Sequence, residues 1–298
     1  MDGLGLAILQ SIISGILIGG IYIVISIGLD MLVGVLRITN FAHGDLVAFA
    51  MYMSFFAFQL FNLDWTQVLV IVPTLFAFLG IPIYYLIFKR MVDQPYPPQL
   101  LYTTALSIAI QNFLLVAFSW NERYIILPMR TESYALGPFL FNKVLLLSFI
   151  ISIGVSVLVF LFLYKTEKGY LIRATISNRD LMSLLGIDPY KIYLQAFCLA
   201  MGLTALGSVL LNFYYPVFPT VGSLYTNLMF VAIVLGGIGT IRGCILGGLI
   251  IGVTQILTST FFYLNFQNIA IFVIFILFIV LKPEGLLGAS RRKGRRGG

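Results

Sequence analysis

Charge is what this sequence has least of. Of its 298 residues only 10% are Asp, Glu, Lys or Arg, 60% are hydrophobic, and the mean hydropathy is +1.03. Soluble domains carry about a quarter charged residues, so a soluble fold is excluded. Histidine occurs once, as His43, and cysteine twice, as Cys198 and Cys244, both inside apolar stretches. One histidine without a second His or a Cys pair cannot build an ordinary transition-metal site, and the two cysteines read as packing residues. There is no G-x-x-x-x-G-K-[ST] phosphate loop, and no HExxH, GxSxG or paired-cysteine arrangement. Nucleotide hydrolysis and membrane-embedded catalysis therefore lack the residues they need. The strict alternation of barrel strands is also missing. The opening MDGLGLAILQ has neither a basic leader nor a small-residue cleavage site, so the first apolar stretch is expected to remain as a span.

What is present is apolar sequence almost end to end. A hydrocarbon core about 30 Å thick needs roughly 20 apolar residues per helix. Spans are expected near 6–35, 41–61, 66–88, 99–119, 142–164, 192–214, 223–238, 243–260 and 265–281. The fold class is an all-α integral membrane protein, a polytopic bundle of about 8–9 transmembrane helices in one domain over 1–298, with two broken, glycine-rich segments. PYPP at 95–98, Pro216 and Pro219 mark connections, whereas Pro73 and Pro82 fall inside the third span, where neighbouring helices can satisfy freed carbonyls.

Basic residues set the orientation. Arg37, Lys89, Arg90, Lys165, Lys168, Arg173, Arg179, Lys191, Arg242, Lys282 and the RRKGRR tail fall on one side, and Arg123, Arg130 and Lys143 on the other. The positive-inside rule makes the first side cytoplasmic, with the amino terminus outside and the carboxyl terminus inside. The basic tail at 289–298 reads as a topology anchor on anionic lipid rather than a nucleic-acid site.

Three segments carry chemistry. Residues 28–45, GLDMLVGVLRITNFAHGD, interrupt an apolar region with Asp30, Arg37, Asn40, Phe41, His43 and Asp45. Ionisable groups at membrane depth are costly and face a cavity or a partner, so this is either a broken helix beside a pathway or a turn between two helices with interfacial anchors. Residues 234–252, VLGGIGTIRGCILGGLIIG, bring Gly236, Gly237, Gly239, Gly243 and Gly247, with Gly239, Gly243 and Gly247 expected on one close-packed helical face, like Gly15 and Gly19 in the first span. Two such interruptions, one in each half, are what internally repeated transporters place around a central pathway. The longest basic-side connection, TEKGYLIRATISNRDLMSLLGIDPYK at 166–191, has Leu181, Leu184 and Leu185 at helical spacing beside Arg173, Arg179 and Asp180, with Gly186 as a stop before Ile187. It reads as a short surface helix that lies on lipid or docks a protein.

At these segments the chain resembles the permeases of branched-chain amino acid ABC importers. GVLRITNFAHGD at 34–45 reproduces the family's early signature, Arg173, Ala174, Gly186 and Ile187 match its coupling motif, and VLGGIGTIRGCILGG and KPEGLLG look like its late glycine-rich block and ending. The blocks run in family order from about Gly15 to Gly288. Two positions depart: Asp30 stands where a small neutral polar residue is expected, and TISNRDLMSL lacks the alanine-rich, more acidic pattern usual there.

The resemblance implies a transporter subunit, not an enzyme, in the bacterial inner membrane. A homologous second permease would close the pathway, two ATPase subunits carrying ATP and magnesium would dock on the 165–191 coupling loop, and an external binding protein would deliver leucine, isoleucine or valine. The chain itself would bind no cofactor. In that scheme the pathway would be lined or bordered by Asp30, Arg37, Asn40, Phe41, His43, Asp45, Gly236, Gly237, Gly239 and Gly243. Coupling would fall to Arg173, Arg179, Asp180, Leu184, Leu185, Gly186 and Ile187. Urea, short amides or another small polar solute remain open as cargo. An ion-coupled secondary transporter using Asp30, Arg37, His43 and Asp45 as a proton relay is the rival from another class.

Overall fold

The computed structural model describes residues 3–263 and 266–287; Gly288 and the basic tail at 289–298 lie outside the described residues. The elements in order are α1 (Gly3–Met31), extended by a π-helical turn over Leu32–Leu36, α2 (His43–Phe61), α3 (Trp65–Ile83), a second π-helical turn over Tyr84–Phe88, the helical turn α4 (Lys89–Met91) and α5 (Tyr96–Phe118). A two-stranded antiparallel hairpin, β1 (Ser133–Leu136) and β2 (Phe139–Asn142), pairs Ser133 with Asn142. Then come α6 (Lys143–Lys165), α7 (Glu167–Ser177), α8 (Arg179–Leu184), α9 (Pro189–Asn212), α10 (Val221–Gly236), α11 (Ile241–Phe261) and α12 (Phe266–Leu281). Seven of the described helical stretches are long and apolar enough to cross a membrane, and α10 and α12 are shorter apolar helices. The protein is a polytopic helical membrane bundle. The sequence pattern did not announce the hairpin or the π-helical turns.

Side-chain caps set several boundaries. Asn142 accepts from Val144 N–H and Leu145 N–H to start α6, Thr166 from Gly169 N–H to start α7, Asn178 from Leu181 N–H to start α8, and Asp188 from Tyr190 N–H to start α9. Each satisfies donors that a helix start otherwise leaves bare. The long basic-side connection is thus two helices broken at Asn178, rather than one.

The two halves of the chain mirror each other. α1 is followed by an extended stretch at 37–42 and then α2; α9 is followed by 213–220 and then α10. α1 packs against α11, and α9 packs against α3. The long helices run in opposite directions: α1 begins beside the hairpin, where Gln10 bonds Leu140, and ends where Arg37 donates to the Ile176 carbonyl of α7. α9 instead begins at the α8 end and leads to Val217, which pairs with Arg123.

Both α2 and α10 begin inside the bundle. His43 meets Thr204, and Asp45 meets Gln111. Thr204 lies about 22 Å along α9 from its start, and Gln111 about 22 Å along α5, at about 1.5 Å per residue. The start of α10 is at the same depth, because a Cβ on Gly222 would lie 2.6 Å from the Gly44 carbonyl and 2.7 Å from Asp45 Cα. The crossing exists because both residues are glycine.

Glycine also sets the α11 contacts, but not as a single face. Gly243 packs on Gly236 and Gly247 on Ala232, both in α10, whereas Gly248 and Gly252 receive α1 at Ile23, Gly19 and Gly15. Gly239 departs from the expected face. It precedes α11 at φ +83° with nothing within 4 Å of a Cβ, because the loop 237–240 has left the helix.

Gly222→Ala should therefore lower the thermal midpoint of the detergent-solubilised protein, with an overpacking cost of about 1–3 kcal/mol. Gly154→Ala, in α6 with open space around its Cβ, should be neutral or slightly stabilising. Equal midpoints for the two variants would refute the crossing.

Candidate functional site

Asn40, His43, Asp45, Thr204 and Thr226 are buried polar side chains that meet at this crossing. Asn40 shapes the turn that leads into α2: its Oδ1 accepts from Ala42 N–H at 3.1 Å, and its carbonyl accepts from His43 N–H at 3.3 Å. Gly44 N–H donates to Thr226 Oγ1 of α10 at 3.1 Å. Thr204 Oγ1 directs its proton to the Ala200 carbonyl at 2.8 Å, so its 3.0 Å contact with His43 is accepted from an Nε2–H. Asp45 Oδ1 accepts from Gln111 Nε2 at 2.9 Å. Three side-chain atoms here are buried without a partner: Asn40 Nδ2, His43 Nδ1 and Asp45 Oδ2. Buried polar groups are normally paired, and these three exceptions fall within six residues of chain.

Phe41 stands beside them, 38% exposed, its ring stacked on Phe230 at 5.1 Å between centroids. Arg37 is exposed and adopts the left-handed region at φ 57°, held by its bond to the Ile176 carbonyl. Such a conformation in a non-glycine residue persists only where its surroundings fix it.

The second interruption lies at the other end of α10, away from His43. Asp30 is buried in α1, and its Oδ1 accepts the Gly239 N–H at 2.7 Å. A Cβ on Gly34 would lie 3.2 Å from Gly239 Cα, so the two breaks touch. The 282–287 stretch closes over them: Leu286 N–H donates to the Leu235 carbonyl, Leu287 N–H to Gly236, and Gly285 lies against Gly237. The ten expected pathway residues therefore form two groups, Asn40–Asp45 at the crossing and Asp30 with Gly236, Gly237, Gly239 and Gly243 at the basic end, with Arg37 between the first break and α7.

In the basic-end connection, Leu181, Leu184 and Leu185 are exposed, Leu184 by 84%, and the side chain that anchors α8 is Met182. Asp180 is exposed, and Ile187 is half-buried. Gly186 ends the helix at φ +80°, with Ile187 N–H donating to the Met182 carbonyl. Arg173 and Arg179 point inward. Arg173 Nε donates to the Leu163 carbonyl at 3.0 Å. Arg179 donates to Asp93 Oδ1 at 2.6 Å and to the Tyr190 hydroxyl at 2.7 Å, and that hydroxyl donates to Asp93 Oδ2 at 2.6 Å. This triangle ties α8 to the turn between α4 and α5 and to the start of α9.

Sequence reading missed the partners on other helices. Thr204, Ser208 and Asn212 recur every four residues on α9; Asn212 donates to the Met51 carbonyl and to Ser54 Oγ of α2. A polar stripe at that spacing in an apolar helix was the available signal. Among the described residues, no three His, Cys, Asp or Glu side chains gather as a metal site.

The Tyr190 hydroxyl and the Arg179 guanidinium hold the Asp93 carboxyl below the usual carboxylate range. A depressed carboxylate stabilises the fold above its unfolded pKa of about 3.9, and the contribution is lost as pH falls through the lower folded value. The link is half-exposed and so worth about 0.2–1 kcal/mol. Asp93→Asn should speed amide exchange in 179–185 at pH 7, and wild type should show the same loosening only below about pH 4. Exchange that ignores the substitution would dismiss the triangle as a tie.

The sequence family described as "Branched-chain amino acid transport system / permease component" matches residues 11–281. The chain is 27% identical over 299 residues to the high-affinity branched-chain amino acid transport system permease protein LivH of Salmonella typhimurium, covering 94% of this chain and 95% of the relative. It is 28% identical over 296 residues to BraD, of the same description, from Pseudomonas aeruginosa, with 94% and 95% covered. The probable branched-chain amino acid transport permease protein LivH of Methanocaldococcus jannaschii is 25% identical over 294 residues, with 94% and 93% covered. No solved structure matches the chain.

Proposed function

Because the chain belongs to the branched-chain amino acid transport system permease family, we propose that it forms, with a homologous second permease, the pathway of an ATP-driven importer for leucine, isoleucine and valine. The observation that supports this reading is the crossing of α2 and α10, where two helices start inside the bundle with unpartnered Asn40, His43 and Asp45 atoms around them. Helices that begin at depth beside a pathway are how repeated transporters meet a charged cargo.

In this reading the amino terminus lies outside and the basic end faces the cytoplasm of a bacterial inner membrane. Asn40 and His43 offer hydrogen bonds to the passing zwitterion, with Asp45 behind them. Phe41, stacked on Phe230, is the apolar gate. The α2 donors at Ala42, His43 and Gly44 are already engaged within the protein, which keeps the cargo site weak, as conduction requires. Asp30 and the glycines at 236, 237, 239 and 243 form the hinge that changes with the transport state.

ATP and magnesium belong to two partner ATPase subunits, which dock on α7 and α8, and an external binding protein delivers cargo to the hairpin end. Leu184 and Leu185 are the docking contacts, with Leu181 and Asp180 beside them. Arg173 and Arg179 hold this surface in position, while Gly186 and Ile187 end it. An exposed apolar face on a six-residue helix suits a protein groove.

The test is reconstitution with the ATPase, second-permease and binding-protein subunits in proteoliposomes. Leucine uptake should require ATP, and a thiol reagent on Asn40→Cys should block it. ATP-independent, proton-driven uptake would reject the importer, and uptake unchanged after complete thiol modification of the Asn40→Cys variant would remove the crossing from the pathway. Leu184→Asp with Leu185→Asp should release the ATPase or cut uptake per ATP at least about tenfold, the equivalent of about 1.4 kcal/mol of coupling. Full ATPase recovery and normal coupling in that variant would reject α8 as the docking site.

A further inference from the structure

A cavity of about 240 Å³ opens at the basic end between the close of α1, the close of α6, α7 and the second break. Asp30 and Arg173 line it among the aliphatic side chains of Ile27, Met31, Ile172 and Ile176, and Gly34 and Gly239 place both breaks in its wall. Its volume leaves room for a small solute and not merely for a single water.

The two charges in this cavity are opposite, yet they do not pair. The ion pairs among the described residues are Lys143–Glu132 and Arg179–Asp93. Asp30 is buried, with the Gly239 N–H donating to its Oδ1 and the Cys244 thiol as its side-chain neighbour, and no cation beside it. A buried carboxylate without a cation is costly, so the site favours a ligand that brings one. Arg173 is fixed at its root: Nε donates to the Leu163 carbonyl, and the guanidinium lies 4.6 Å over the Tyr164 ring. No hydrogen bond from its terminal nitrogens is made among the described residues, which leaves the end of a rigid fork suited to a carboxylate.

We propose that this cavity is a cytoplasm-facing binding site for a zwitterionic aliphatic amino acid. The ligand ammonium meets Asp30, its carboxylate meets Arg173, and its side chain lies among Ile27, Met31, Ile172 and Ile176. The cytoplasmic placement and the choice of leucine as probe rest on the importer reading above. Because α7 and both breaks form the walls, an occupied cavity ties the ATPase-docking connection to the hinge, so accumulated product slows further import. By linkage, a transport state that closes the cavity also expels the ligand.

The experiment uses the complex of full chain, second permease and ATPase subunits, without the external binding protein. Radiolabelled L-leucine should bind saturably. Leucinamide, which lacks the carboxylate, and isocaproate, which lacks the ammonium, should each compete at least about tenfold more weakly, a loss of about 1.4 kcal/mol or more. Diazirine-bearing photo-leucine on the unmodified complex should label peptides within 27–35 and 172–177. Asp30→Asn keeps an oxygen for the Gly239 N–H and should still weaken leucine binding at least about tenfold. Leucine on the ATPase side of proteoliposomes should slow ATP hydrolysis, and the variant, measured against its own uninhibited rate, should lose that inhibition.

Absence of saturable binding, equal competition by the charge-deleted analogues, or labelling confined to other peptides would overturn the proposal, and the labelling arm needs no variant to fold. Leucine uptake with none of this binding defeats the cavity alone. Binding at the cavity without any leucine uptake defeats the substrate reading and leaves the cavity standing.

Discussion

Two glycines facing each other within the bundle hold the rest of the structure to its shape. Gly44 at the start of α2 and Gly222 at the start of α10 leave no room for a Cβ, so two helices can begin side by side deep among their neighbours. A helix start carries bare N–H groups, which a hydrocarbon surrounding cannot satisfy. The bundle answers by supplying Asn40 and Thr226 as acceptors for the Ala42 and Gly44 N–H groups, while Thr204 of α9 and Gln111 of α5 engage the His43 and Asp45 side chains. The deep burial of α1 follows: apolar on all sides, it is the wall that both half-chains share.

The same arrangement separates two kinds of polar chemistry. At the crossing, unpartnered atoms lie beside two helix starts and the stacked Phe41 and Phe230 rings, which under the proposed function is where the solute passes. At the basic end, the breaks are tied by bonds between distant parts of the chain: Asp30 to Gly239, Arg37 to Ile176, and 286–287 to the end of α10. In the proposed importer these long-range ties are the contacts that a change of transport state would exchange, since differential contacts rather than tight binding set coupling.

The spans, the two interruptions and the helix stop at Gly186 were legible because each rests on local chemistry: apolar length, glycine, or a left-handed residue after a helix. The position of GVLRITNFAHGD in a re-entrant stretch was legible only as a choice between broken helix and turn, since depth in a membrane is fixed by contacts with Thr204 and Gln111, which are distant in sequence. The supposed glycine face of 239, 243 and 247 failed on one residue for a related reason. Four-residue spacing predicts a face only inside a helix, and positive φ at Gly237 and Gly239 puts the start of α11 at Ile241. The inward turn of Arg173 and Arg179 could not be read from spacing, because their partners Leu163, Asp93 and Tyr190 belong to other elements.

Asp30 brings these arguments together. A buried carboxylate costs free energy that a small neutral side chain would not, and the Gly239 N–H and the neutral Cys244 thiol offset only part of it. A neutral side chain could make that bond as well, so holding the break does not by itself account for the charge. The charge gains a use only if a cation comes to it, and Arg173, fixed across the same cavity, is not that cation. An ammonium attached to a carboxylate satisfies both ends at once, and it is the chemistry of the solute this family carries.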